Sequence, residues 1–275
     1  MTTEIIAGPL GEMRAASTAG GGTALTTTAT FIQLPIKSDH IFITPRNFAT
    51  AVVAQFALNP WLVVLKTIDG MASTPTDYSD AAQDADTATS VDISELGALT
   101  AGDFLLVGAA LKFRGVYFDI DGTNGLGTAA LQVDDWRAAG WNAMTTALGT
   151  LTDGTFSTRT FAQDGLVSWT PNAGWLAATL REIYPTAPNT PYSDMKLFWT
   201  RWTVSAAITD TSVTIDSMVA ANRSTAYAEL MSGQTFEERI RHGEIGGFGC
   251  VEALTDAGTA NLIVNVATFP SGKYR

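Results

Sequence analysis

The chain has 275 residues, of which 46% are hydrophobic, so it can form two modest domains or one sandwich with extensions. Only 16% of the residues are charged, against about 25% in typical soluble domains, and the net charge is −11. Phosphate contacts need basic side chains, so this balance argues against nucleic acid and anionic membrane as partners. Charge depletion is also typical of surfaces buried between subunits, which predicts a homo-oligomer or a larger assembly.

The amino-terminal segment, residues 1–24, ends in small residues that include Gly20, Gly21 and Gly22. We expect a flexible arm, which is either a frayed terminus or an arm that becomes ordered on a partner. The segment does not have the pattern of a signal peptide, and no stretch of the chain reaches the ~18 apolar residues of a membrane-spanning helix. The single cysteine, Cys250, excludes a disulfide within the chain, which fits a reducing cytoplasm.

Short β-branched segments separated by Pro and Asn-Pro predict a small β-unit over residues 25–76. Residues 77–220 continue with short alternating segments and Gly-containing turns, which predict an antiparallel, jelly-roll-like β-sandwich. The remaining residues, 221–275, are predicted to form an extension that ends in a β-hairpin. Its two strands are expected over residues 250–254 and 261–268.

One helix is predicted within the sandwich, over residues 172–184, where Asn172 can act as the N-cap. A rich strand follows at residues 197–207, with strict alternation of two faces. Phe198, Trp202 and Val204 share the face that we expect to pack on the core. The opposite face carries Trp199 and Arg201, and we expect either the residue 25–68 unit or a neighbouring subunit to cover it.

Several sequence motifs of the sandwich follow one another in a characteristic order. They are FRGVYFD at 113–119, Trp136, Trp141, DGT at 153–155, DGLVSWTP at 164–171 and LFWTRWTVS at 197–205. This ordered set, over residues 77–232, resembles a module of structural proteins from tailed-bacteriophage virions. The module is similar in pattern to galactose-binding-like jelly rolls.

The resemblance implies a non-enzymatic virion component that uses no cofactor and assembles in the host cytoplasm with major capsid or tail proteins. A decoration protein or other head accessory on the outer surface is the first expectation, because an acidic protein is disfavoured beside packaged DNA. A tail, baseplate or fibre component is an alternative. A carbohydrate-binding module that recognises a host glycan is another alternative. A glycoside hydrolase is the third functional hypothesis.

Asp119, Asp121 and Asn124, in the sequence DIDGTN, match the start of a calcium loop, because calcium binds several oxygen ligands at short spacing. An EF-type loop would have Glu at its twelfth position, where this sequence has Ala130. We therefore favour a β-hairpin turn and keep a non-EF calcium site as the alternative.

Three tryptophans, Trp136, Trp141 and Trp199, are candidate sugar-binding or interface aromatics, because aromatic rings pack on sugars as well as in protein cores. No catalytic or zinc motif accompanies them: His40 and His242 are far apart in the sequence. Asp134 and Asp135 are adjacent, and adjacent residues of a strand point to opposite faces, so we do not expect them to act as an acid–base pair.

Overall fold

The computed structural model describes residues 13–15, 21–35, 38–84, 86, 88–94, 96–97, 102–144, 151–221, 227–241 and 244–267. The fold is almost entirely β, with antiparallel sheets packed in sandwich-like fashion, which confirms the predicted class. The chain divides into two compact units. Met1–Asn59 and Asn222–Arg275 form the smaller unit, and Pro60–Ala221 form the larger one.

The first part of the smaller unit contains β1 (Met13–Ala15), β2 (Thr23–Leu25), β3 (Thr30–Gln33), β4 (His40–Ala49) and β5 (Ala54–Pro60). The larger unit contains β6 (Val63–Thr67), β7 (Thr76–Asp77), β8 (Val91–Asp92), β9 (Phe104–Ala109), β10 (Gly115–Gly122), β11 (Leu131–Arg137), β12 (Gly140–Met144), β13 (Leu151–Asp153), β14 (Gly165–Trp169), β15 (Ala177–Ala178), α1 (Leu180–Ile183), β16 (Leu197–Val204) and β17 (Thr214–Ala221). The smaller unit resumes with β18 (Ala228–Leu230), β19 (Phe236–Arg239), β20 (Phe248–Thr255) and β21 (Thr259–Ala267).

Two sheets form the larger unit. The β16 sheet has the strand order β12-β11-β16-β9-β6-β7, with β15 also paired to β16. The β10 sheet has the order β13-β14-β10-β17-β8. The long strands β9, β10, β11, β14, β16 and β17 alternate between the two sheets along the chain, which is the winding expected of a jelly-roll-like sandwich.

Strand β16 lies in the middle of its sheet and buries both of its faces. On the inner face, Trp202 and Val204 are fully buried in the core and Phe198 packs against it, as the alternation predicts. Trp202 contacts Phe118 of the opposite sheet at 5.4 Å between ring centroids and Trp169 at 5.8 Å. Its Nε1 donates to Thr200 Oγ1 at 2.8 Å, so the indole is also satisfied as a donor.

Residues of the same unit bury the outer face of β16. Trp199 is 0% exposed, and its Nε1 donates to the carbonyl oxygen of Ala178 at 3.0 Å. Trp199 is therefore not available as the sugar-binding or interface aromatic that the sequence suggested. No neighbouring subunit is needed to cover it, because contacts within the chain, at Ala178 and Gly108, already bury the indole.

The helix prediction for residues 172–184 is also wrong, except for its last turn. Asn172 accepts a hydrogen bond from the Gly174 amide, which makes a local turn rather than a helix cap. Ala177 and Ala178 then pair with β16 as a strand. The helix begins only after Thr179, whose side chain forms a capping box with Glu182.

The smaller unit contains a second pair of sheets around its own core. The β21 sheet has the order β1-β21-β4-β19, with β2 also on β21, and the β20 sheet has the order β18-β5-β20-β3. Ile43, Val264 and Val251 are among the core residues that the two sheets share. Strands β20 and β21 form at the predicted positions, but they belong to different sheets, so the predicted hairpin between them is wrong.

The unit boundaries also differ from the sequence expectation. Residues 25–59 and the carboxy-terminal strands form one core, because β4 pairs with β21 and β3 pairs with β20. Within residues 1–24, the described residues include strands β1 and β2, which pair with β21, so this part of the expected arm is docked. The other residues of that segment, 1–12 and 16–20, lie outside the described ones.

We predict that Gly108→Ala destabilises the larger unit by about 1–3 kcal/mol, the range typical of an overpacked core. A Cβ atom at Gly108 would lie 2.6 Å from Cε3 of Trp199, which is itself held between β9 and Ala178. Urea unfolding followed by tryptophan fluorescence measures the loss. Gly21→Ala is the control, because its Cβ would meet nothing closer than 3.8 Å. Equal stability of the two variants would contradict the described packing.

Candidate functional site

A group of aromatic rings, some buried and some partly exposed, lies with an ion pair on the outer face of the β16 sheet, at the β11–β12 end. We call this group the Trp141 cluster; its members are Trp136, Trp141, Tyr184, Arg201, Asp134 and Phe104. Trp136 and Trp141 are Cα partners across β11 and β12, and their rings meet edge to face at 5.4 Å. Tyr184, which follows α1, lies 6.4 Å from Trp141 and stacks on Phe104 at 6.1 Å.

Arg201 occupies the centre of the Trp141 cluster. Its guanidinium lies 4.8 Å from the ring centroid of Trp141 and 5.9 Å from that of Phe104. Nε donates to Asp134 Oδ2 at 3.0 Å, and Nη2 donates to the same oxygen. Both side chains of this ion pair are only 12% exposed, so each charge depends on the other for the solvation that burial removes.

Two polar atoms of the cluster lack a hydrogen bond of normal geometry. They are Nε1 of Trp141 and the hydroxyl oxygen of Tyr184, both buried and near each other. Burial raises the pKa of the Tyr184 hydroxyl, and the neighbouring Arg201 guanidinium opposes that shift. The tyrosine is therefore a neutral hydroxyl at physiological pH, able to donate or accept a hydrogen bond.

A shallow depression lies beside the cluster, with an empty volume of about 170 Å³ that includes open solvent. Its lining includes Tyr184, Pro188 and Arg181. Ligand pockets for drug-sized molecules usually measure about 300–1,000 Å³, whereas this depression encloses no space for even a water molecule, so it is not a ligand pocket. Arg181 is already engaged, because its Nε donates to Asp194 at 2.8 Å and its Nη2 to Asn189 at 2.9 Å.

The adjacent carboxylates of β11 form two separate ion pairs. Asp134 pairs with Arg201 on the outer face, as described above. Asp135 is 1% exposed and accepts a hydrogen bond from Arg137 Nε at 2.8 Å. Burial raises the pKa of Asp135, and Arg137 opposes the shift. The two carboxyl groups therefore have different partners and do not face one another.

The structure does not bring the predicted calcium residues together as ligands. Asn124 is buried, and its amide donates to the Thr160 carbonyl at 3.1 Å and accepts from the Leu126 amide at 3.3 Å. It therefore holds two loops together. Within the described part of the chain, no group of three or more His, Cys, Asp or Glu side chains is arranged to hold a metal ion.

Asp119 and Asp121 instead belong to a group of four carboxylates that the sequence does not reveal. Asp164 lies next to β14 and Asp216 lies on β17, and both strands pair with β10. Burial, followed by the charges of Asp164, Asp216 and Asp121, raises the pKa of Asp119. Burial, followed by Asp121 and Asp164, raises the pKa of Asp216. The alternation of Asp119 and Asp121 is visible in the sequence, but the strand pairing that completes the group is not.

A second polar group that sequence reasoning missed lies in the smaller unit. Glu252 is 0% exposed on β20 and accepts hydrogen bonds from Asn59 Nδ2 at 3.1 Å and from the Tyr227 hydroxyl. Burial raises the pKa of the nearby Cys250 thiol, so this cysteine is not an activated nucleophile. His242 lies outside the described residues.

No protein-family model, curated protein or solved structure matches this chain. Among the described residues, no helix has the length and apolar character needed to cross a membrane. The resemblance to phage virion proteins therefore stays a prediction, and the residues themselves carry the functional argument.

We predict that Asp119→Asn stabilises the protein at pH 7. The folded-state pKa of Asp119 is raised above the ordinary value of 3.8, so its ionised form opposes folding above that pH. The stabilisation should disappear as the pH falls below about 3.8, where the carboxyl is protonated in both states. Thermal unfolding midpoints at several pH values measure it. Asp80→Asn is the control, and a gain that is equal in both variants or independent of pH would contradict the prediction.

Proposed function

We propose that the chain is a non-enzymatic structural component of a tailed-phage virion, displayed on the particle as a head decoration or accessory protein. A tail, baseplate or fibre component is the alternative location. Its partners are further copies of itself and the major capsid or tail proteins. The ordered motifs between residues 113 and 205 support this proposal, and so does a charge content of only 16%.

The observation that carries the assembly role is the composition of one sheet edge. Among the described strands, β12 (GWNAM) is the last strand of the β16 sheet. It has no charged residue. Proteins that stay monomeric usually protect such edges with Lys, Pro or inward-pointing charges, because an open edge pairs readily with another chain. Uncharged edges support lateral contacts between subunits.

Immunogold electron microscopy of virus particles tests whether the protein lies on the particle surface.

A lysine on the edge strand β12 tests whether this edge contacts neighbouring subunits. We predict that Ala143→Lys on β12 lowers the fraction of protein that sediments with particles by about tenfold, which corresponds to ~1.4 kcal/mol. Gln132→Lys is the matched control, because Gln132 is exposed on β11, which is paired on both sides. Both variants should keep the unfolding midpoint of the parent protein. Absence of gold label from particles would refute the virion role, and equal sedimentation of both variants would refute the β12 contact.

Carbohydrate binding is the second candidate function, and the partial exposure of Trp136 and Trp141 favours it. Arg201 already lies over the ring of Trp141, so Trp136 has the more available surface. A ring stacked on a sugar presents its apolar face, and the partly exposed ring of Trp136 can do so.

We predict that Trp136→Ala abolishes binding on a glycan array, while the protein still folds and unfolds in a cooperative transition. Leu176→Ala is the matched control, because Leu176 is 44% exposed and its amide donates to the Trp136 carbonyl at 2.9 Å. The parent protein binding no glycan, or the Trp136 variant binding as well as the control, would end this candidate.

A further inference from the structure

The outer edge of β21 is closed by the amino-terminal arm of the chain. One side of β21 pairs with β4 along most of its length. The other side pairs with β1, through Met13–Ala15, and with β2, through Thr23–Leu25. The opposite end of the same sheet is β19 (FEER), whose Glu237, Glu238 and Arg239 are exposed and discourage pairing by charge. The edge of β21 is instead protected by its pairing with β1 and β2.

The arm is longer than the edge requires. Ala15 pairs with Asn265 and Thr23 pairs with Leu262, so only Ile263 and Val264 separate the two partners on β21. On the arm, seven residues, 16–22, join the same two points. A continuous strand would need two, so the arm has five residues in excess. Fully extended, this connection reaches roughly 26 Å, far more than the three-residue step along β21.

The two pieces of the arm are anchored differently. At β2, Leu25 is 0% exposed in the core of the smaller unit. Gly22, with φ of +83°, brings the chain so close to β21 that a Cβ atom would lie 2.6 Å from the Leu262 carbonyl oxygen. β2 is therefore fixed to the smaller unit of its own chain. β1 is only three residues long, and residues 16–22, which are more than the pairing needs, connect it to β2.

We propose that the outer edge of β21 is a strand-exchange site, at which β1 of a second copy of this chain replaces the chain's own β1. The partner strand has the same sequence and makes the same backbone hydrogen bonds, so the exchange needs no new contact. This inference extends beyond the proposed virion role, since it requires only two copies of the protein in solution.

Concentration decides which copy supplies β1. Residues 16–22, with the sequence ASTAGGG, have a linker-like composition, and a short linker of this kind gives its own strand an effective concentration on the order of 1 mM. Exchange therefore involves about 1% of the molecules at ~10 µM protein and about half of them near ~1 mM. Packed subunits on a particle surface exceed that concentration locally, so the same edge would link neighbours there.

Disulfide trapping between two full-length variants tests the exchange. One population carries Ala15→Cys and an affinity tag, and the other carries Asn265→Cys, because these residues are Cα partners across β1 and β21. Directly opposed residues lie about 4.5–5.5 Å apart, within the range that a disulfide spans. The native Cys250 is buried and does not compete. The expected result is a covalent heterodimer on non-reducing gels, whose initial rate of formation per molecule rises about fiftyfold from 10 µM to 1 mM protein.

Two controls make the result decisive. An acceptor with Val52→Cys, at a site 66% exposed and away from the β1 pairing, gives the rate of random collision. A single chain with both Ala15→Cys and Asn265→Cys should close an internal disulfide, which verifies the register. The proposal is overturned if the internal disulfide forms while the heterodimer stays at the Val52→Cys rate at 1 mM. It is also overturned if the internal disulfide does not form, because the docking register would then be incorrect.

Discussion

The larger unit depends on the burial of both faces of β16. On one face, Trp202 packs against aromatic rings of the opposite sheet, and on the other face Trp199 is fully buried, with its indole hydrogen-bonded to the Ala178 carbonyl. Most strands of a two-layer sandwich have one face on the core and the other toward solvent. A strand buried on both faces cannot shift its register without placing Arg201 in the core, so it sets the positions of β9 and β11 beside it.

The burial of the outer face of β16 also determines how the charge of Arg201 is accommodated. Arg201 is almost buried on the outer face, and Asp134 together with the rings of Trp141 and Phe104 compensates for its lost hydration. A buried ion pair adds little net stability compared with apolar side chains, but removing one partner from it is severely destabilising. The main role of the Trp141 cluster is thus to stabilise the fold. Only the exposed part of Trp136, at the edge of the cluster, is accessible to a ligand.

Sequence periodicity predicted the local structure well and the long-range pairing poorly. The alternation in β10, β11 and β16 identified Val116, Val133 and Trp202 as core residues, because the period of a strand depends only on neighbouring residues. The hairpin of β20 and β21 and the helix at residues 172–184 failed for different reasons. The first depended on which distant strands each would pair with, and the second on the turn at Asn172 and the pairing of β15 with β16.

The candidate sites divide in the same way. Trp136 and Trp141 were found because they flank a turn, whereas Trp199 was misjudged because its cover comes from a segment about twenty residues away. Asp164 and Asp216 join Asp119 only through strand pairing, which no local pattern encodes. The docked arm was missed for the same reason, since Met13–Ala15 and β21 are separated by almost the whole chain.

Hydrogen–deuterium exchange of the backbone amides of β16 tests the central role of this strand most directly. If both faces are sealed and both edges are paired with β9 and β11, the amides of Thr200 and Trp202 should exchange only by global unfolding of the larger unit. They should then be the slowest in that unit, with an opening free energy equal to that from urea unfolding. Exchange as fast as in the edge strand β8 would contradict the account.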